Sequence, residues 1–177
     1  MKDAQKGYVQ IYTGNGKGKT TAALGLALRA AGHGKKTFIG QFLKAQDYGE
    51  LHALKKLGSL ITIQQFGRSS FIHVTEDTNP EDVAMVLEGI MTCLKAMLSG
   101  KYDLIILDEI NVAIYFKLIK VEEIHSFLDR KPEHVEVVLT GRFAPDSLIE
   151  RADLVTEMKE IKHYYTKNVR ARDGIER

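Results

Sequence analysis

Tyr8-Val-Gln-Ile-Tyr-Thr-Gly-Asn-Gly-Lys-Gly-Lys-Thr-Thr21 is the stretch on which the reading of this chain turns. Its apolar start, Tyr8 to Tyr12, reads as a buried strand. Glycines at positions 14, 16 and 18 then break it into a loop, and Lys19, Thr20 and Thr21 follow. Ala22-Ala-Leu-Gly-Leu-Ala-Leu-Arg-Ala-Ala31 reads as a helix, stopped by Gly32 and Gly34. A strand, a glycine loop, Gly-Lys-Thr and a helix together make a phosphate cradle.

The residue types fit that chemistry. Glycine has no Cβ, so the loop can curl and turn backbone N–H groups toward phosphate oxygens. The helix start adds the positive end of its dipole. Lys19 brings a mobile cation, and the Thr20 hydroxyl is placed to ligate Mg²⁺. The spacing departs from G-x-x-x-x-G-K-[ST] in one place. Thr13 stands where that pattern has its first glycine, Gly14 comes one residue later, and Lys17 adds a second cation inside the loop.

Working outward, strands alternate with helices. Lys36 to Leu43, Leu60 to Phe66, Leu104 to Leu107, Val135 to Thr140 and Leu154 to Met158 read as strands. Asp47 to Leu57, Pro80 to Leu98, Val112 to Phe116, Val121 to Leu128 and Pro145 to Arg151 read as helices. Asn79 is placed as N-cap and Pro80 as first helical residue of the longest one. Residues 67–79 lack clean periodicity and read as a functional loop. Several strands are apolar without alternation. The pattern predicts one α/β domain over residues 1–177, a mostly parallel sheet with helices on both faces. Ligands of such sheets bind at the carboxyl ends of the strands. The glycine loop, Gln41 to Lys44, Asp108-Glu109 and Thr140 to Arg142 all fall there.

Asp108 and Glu109, directly after an apolar strand, suit Mg²⁺, which takes a few oxygen ligands and keeps waters. Taken alone, the same pair would suit a helix start that favours acidic residues. The chain's 177 residues carry 25 basic and 23 acidic side chains, a net charge of +2 too mild to imply nucleic acid. The single cysteine, Cys93, lies in a helical apolar pattern and reads as a buried inert thiol. The six histidines do not cluster, and His163 beside Lys162 is the one nearest a ligand role. The polar start, Met1 to Lys6, predicts no signal peptide or membrane span, hence a cytoplasmic setting. No Cys–His or Ser–His–Asp arrangement is legible, so an acceptor that is already a potent nucleophile would fit.

Seven segments occur in order: Thr13 to Thr21, Gln41-Phe-Leu-Lys44, Leu107-Asp-Glu-Ile-Asn111, Arg130-Lys-Pro-Glu-His134, Leu139-Thr-Gly-Arg142, Leu148 to Met158 and Ile161-Lys-His163. With them, from about Gly7 to Glu176, the chain resembles the corrinoid adenosyltransferases of the CobA/BtuR type. The shifted glycine loop is the form that family uses. The resemblance implies a RecA-like P-loop fold, usually a homodimer, with a flavoprotein as candidate reductant. It implies transfer of the 5′-deoxyadenosyl group of ATP to cobalt(I) of a reduced corrinoid, with release of triphosphate. By motif match, Gly14, Asn15, Gly16, Lys17, Gly18, Lys19, Thr20 and Thr21 bind phosphates. Thr20, Asp108 and Glu109 hold Mg²⁺, and Asn111 and Arg142 line the site. Lys19, Glu109 and Phe71 are the catalytic candidates. Many members carry Gly-Phe-Thr-Trp in the long loop, where aromatics displace the corrinoid's lower axial ligand. Here Gly67-Arg-Ser-Ser-Phe-Ile72 stands instead and the chain has no tryptophan. Phe71 replaces the family's phenylalanine or, one residue out of register, meets its threonine. The competing classes are a P-loop small-molecule kinase or regulatory ATPase, which would release ADP, and a RecA-like nucleic-acid binder.

Overall fold

The computed structural model describes residues 6–56, 58–68 and 79–175. Six strands form one sheet: β1 (Val9–Thr13), β2 (Thr37–Phe42), β3 (Ile61–Phe66), β4 (Leu104–Asp108), β5 (Glu136–Thr140) and β6 (Leu154–Glu157), in the spatial order β3-β2-β4-β5-β1-β6. Every pairing is parallel. Parallel neighbours need crossover connections, and helices supply them. These are α1 (Lys19–Ala31), α2 (Gly49–Lys55), α3 (Pro80–Leu98), α4 (Ile110–Tyr115), α5 (Val121–Asp129) and α6 (Asp146–Arg151). The predicted elements are all present, with ends moved by a residue or a few.

The period-two geometry of the central strands splits the core into two layers. Ile105 and Leu107 of β4, with Val137 and Leu139 of β5, face α3, α4 and α5 through Val86, Ile90, Met97, Ile110, Ile124 and Phe127. Leu104 and Ile106, with Val138 and Ile39, face the other way, onto Ala23, Ala27 and Ala31 of α1. Those alanines recur every four residues, so α1 lies flat on the sheet. Both faces of β4 are therefore buried, which is why it reads as a continuous apolar run. Gly40 of β2 lets α3 come close, since a Cβ there would stand 2.5 Å from Cys93 Sγ. Asn79 caps α3, its side chain accepting from the Glu81 amide at 2.9 Å, with Pro80 in the first turn.

β6 is different: all its residues are exposed, including Leu154 and Val155. Beyond it the chain runs to a short 3₁₀ turn, Tyr164–Lys167, with Ile161 and Tyr165 also exposed. Among the described residues no helix is long and apolar enough to cross a membrane.

Candidate functional site

Four strands end in the same way. The residue after each last strand residue has a positive φ: Gly14 after β1 (91°), Leu43 after β2 (59°), Glu109 after β4 (65°) and Gly141 after β5 (130°). Glycine adopts such angles freely, whereas Leu and Glu hold them at a cost of about 1–3 kcal/mol each. The sharp turns throw the following residues across the carboxyl edge of the sheet instead of onward. They gather Thr20, Gln41, Lys44, Asp108 and Thr140 into one cluster.

Asp108 is its centre and is buried. Its Oδ1 accepts from Thr20 Oγ1 at 2.9 Å and from Thr140 Oγ1 at 2.7 Å. Its Oδ2 accepts from Lys44 Nζ at 2.7 Å and from Gln41 Nε2 at 3.2 Å. Lys44 also reaches Thr20 Oγ1 at 3.2 Å. Gln65 on β3 donates to Gln41 Oε1 at 3.1 Å and so orients that amide. Burial works against the Lys44 charge, but Asp108 and then Glu109 outweigh it and raise its pKa above the ordinary lysine value.

The glycine loop wraps around its own lysine. Lys19 Nζ donates to Gly14 O at 2.8 Å and Gly16 O at 2.7 Å. Burial lowers the Lys19 pKa, opposed by Glu109 and Asp108. The loop is braced by the end of β6, where the Gly16 amide donates to Met158 O at 2.6 Å. A Cβ on Gly16 would stand 2.6 Å from that same oxygen, so the close approach requires glycine here. Lys17 reaches the Ile175 carbonyl at 3.2 Å, tying the tail to the loop.

Glu109 opens α4 with its amide on Thr140 Oγ1 at 2.9 Å. Burial raises its carboxyl pKa, Asp108 adds to the rise, and Lys44, Lys19 and Arg142 oppose it. Asn111 donates to Gly141 O at 3.3 Å, while its Oδ1 is buried without a hydrogen-bond partner. Arg142 is exposed, yet close enough to act electrostatically on both Lys19 and Glu109. Next to it Phe143 has φ 60° and stacks on Tyr115, with ring centroids 4.0 Å apart.

The arrangement therefore assembles Lys19, Thr20, Asp108, Glu109, Asn111 and Arg142 at one sheet edge. Phe71 lies outside the described residues. His163 serves as a local cap, accepting from the Tyr165 amide at 3.1 Å. Lys44 and Thr140 fall in the segments that the sequence places at the site's edge, though without a role of their own, and Gln65 was not among the candidates. Two signals could have found them: polar residues inside apolar strands (Gln41, Gln65), and a hydroxyl or lysine at a strand end. For Mg²⁺ the donor set fits. Thr20 and Asp108 offer hydroxyl and carboxylate oxygens 2.9 Å apart. Adjacent ligands of an octahedral ion with bonds of about 2.1 Å sit about that far apart.

A family profile described as ATP:corrinoid adenosyltransferase BtuR/CobO/CobP matches residues 5–177. The chain belongs to this family. Among its relatives, a corrinoid adenosyltransferase of Sinorhizobium sp is 38% identical over 178 residues, covering 99% of this chain and 82% of the relative. One from Escherichia coli K12 is 34% identical, covering 97% and 86%. The corrinoid adenosyltransferase CobA of Salmonella typhimurium is 33% identical, again covering 97% and 86%.

Proposed function

We propose that this family member transfers the 5′-deoxyadenosyl group of ATP to the cobalt of a reduced corrinoid and releases triphosphate. The observation that carries this is the near full-length family match combined with a lysine-bearing glycine loop facing Thr20 and Asp108. The strand–loop–helix order at β1 and α1 supports the RecA-like P-loop assignment over a single domain.

In this reading the loop amides, Lys19, Lys17 and Arg142 take the triphosphate, with Asn111 lining the site. Thr20, Asp108 and Glu109 would hold Mg²⁺, which supplies charge neutralisation for the departing phosphates. The adenosine end then points outward. Cobalt(I) donates an electron pair to the ribose C5′, the C5′–O bond breaks, and triphosphate leaves with the bonding pair. Cobalt(I) is nucleophilic enough to need no general base. The chain's own part is to fix the leaving group and offset its developing charge. Phe71, from the long loop, is the candidate to approach the corrinoid's lower face. Exposed apolar residues along β6 and the tail, among them Val155, Ile161 and Tyr165, support assembly as a homodimer. The family resemblance is what brings in a flavoprotein reductant.

Anaerobic incubation with ATP, Mg²⁺ and chemically reduced cobalamin tests the reading. The expected result is a light-sensitive Co–C product and equimolar triphosphate. ADP released without corrinoid would instead make the chain a kinase or ATPase.

A further inference from the structure

The four donors on Asp108 are not equivalent. A carboxylate has about four lone-pair positions, and here Thr20, Thr140, Lys44 and Gln41 take them all. Any cation reaching Asp108 must displace one of these groups. Thr140 and Gln41 are fully buried, and each has a second hydrogen bond that fixes it, to the Glu109 amide and to Gln65. Thr20 can turn its proton aside and offer an oxygen lone pair. Lys44 is the donor that can leave. Its side chain is 16% exposed, its stem is flexible, and it alone among the four carries a charge.

Its place is also deliberately built. Leu43 holds φ 59° to turn the chain at the end of β2, and the Leu43 amide is pinned to Phe66 O at 2.9 Å. A leucine in the left-handed region is an energetic cost that needs a return elsewhere. What the turn delivers is the Lys44 ammonium, set between Asp108 Oδ2 and Thr20 Oγ1.

We propose that Lys44 is a resident counter-ion of the metal position, which keeps free divalent cations out and yields only to a cation arriving with a triphosphate. The inference rests on the reading of Thr20 and Asp108 as metal ligands. With Lys44 seated, Asp108 is neutralised and Lys19 adds a further cation nearby, so a bare divalent ion gains little on entry. A triphosphate brings enough negative charge to draw the Lys44 ammonium off the carboxylate and onto phosphate oxygens. Metal and nucleotide then enter together, and the metal-free site keeps its shape because an ammonium holds its ligands. Lys44 is a positioning residue in this scheme until nucleotide binds.

Water-proton relaxation enhancement with Mn²⁺ tests it on the full chain, because the signal rises when the ion is immobilised on protein. Wild type should show little enhancement with Mn²⁺ alone and strong enhancement with Mn²⁺ plus ATP. Lys44→Met should bind Mn²⁺ alone at least tenfold more tightly than wild type, and Lys44→Arg should behave as wild type. Equal affinity of wild type and Lys44→Met for bare Mn²⁺, with the ATP complex intact, would overturn the Lys44 role and leave the metal reading standing. No protein-bound Mn²⁺ even with ATP would overturn both. A wild-type measurement covers the case of a variant that fails to fold. Mg²⁺ alone should leave the melting temperature unchanged and Mg²⁺ with ATP should raise it, whereas a rise with Mg²⁺ alone counts against the proposal.

Discussion

Thr140 donates its hydroxyl proton to Asp108 Oδ1 at 2.7 Å and accepts the Glu109 amide at 2.9 Å. One fully buried hydroxyl on β5 thus fixes both acidic residues at the end of β4. Thr140→Val keeps the shape and deletes both bonds. It leaves Asp108 Oδ1 with Thr20 as its remaining donor and strands the Glu109 amide, which should cost about 1–3 kcal/mol. Denaturant unfolding measures this, and Thr140→Ser should recover most of it. A loss under about 0.5 kcal/mol would mean water or another donor replaces the hydroxyl.

Glu109 should also leave a signature in the pH dependence of stability. Glu109 has its pKa raised from 4.5 by burial and then by Asp108. The folded chain therefore holds that proton more tightly than the unfolded chain. From about 4.5 up to the raised value the folded state binds more protons, so stability falls as pH rises through this window. Glu109→Gln removes the titration. Without nucleotide or divalent ion, its stability should decline less than that of wild type as pH rises above about 4.5. Parallel pH profiles for the two proteins would refute the assignment.

Close packing between β2 and α3 gives a test of the fold itself. A Cβ on Gly40 would stand 2.5 Å from Cys93 Sγ, a buried thiol whose pKa burial pushes well above the ordinary range. Gly40→Ala should destabilise by about 1–3 kcal/mol through overpacking. Adding Cys93→Ala opens the space, so the double variant should be more stable than the sum of the singles by about 1 kcal/mol or more. Additive single effects would mean that the strain is relieved elsewhere.

These tests draw on features that the sequence disclosed unevenly. The alternation of strands and helices was legible because both faces of β4 and β5 are buried, which leaves unbroken apolar runs such as Leu104 to Leu107. The glycine loop and Asp108-Glu109 were legible because their chemistry needs particular residue types at strand ends. Lys44 and Thr140 were harder. A lysine two residues beyond a strand ordinarily points to solvent, and only the positive φ of Leu43 turns this one inward. Threonine at the end of an apolar strand is common on β-propensity alone. Its role follows from register: β5 lies next to β4, pairing Leu139 with Leu107, and that lateral placement is a tertiary fact. His163 illustrates the reverse case. It is the histidine that the sequence places nearest a ligand role, and what sequence did not disclose is that its ring nitrogen caps a local turn.

Lys19 carries the sharpest functional prediction. Its ammonium gives two of three protons to Gly14 O and Gly16 O, at 2.8 and 2.7 Å. These bonds hold the charge over the mouth of the loop, where the proposed triphosphate would sit. Lys19→Ala removes the main cation facing the leaving group, and Lys19→Arg substitutes a planar fork too large for the space between the two carbonyls. Preorganised charge of this kind is worth about 10²–10³ in rate per donor removed. Both variants should therefore lose at least about 100-fold in kcat/KM for the light-sensitive Co–C product under anaerobic conditions. The loop also rests on β6 through Gly16 and Met158, independently of the lysine, so the fold should survive with a normal circular dichroism spectrum. A well-folded Lys19→Ala enzyme turning over within about threefold of wild type would remove the glycine loop from the mechanism, since no preorganised charge of the expected size would then be acting there.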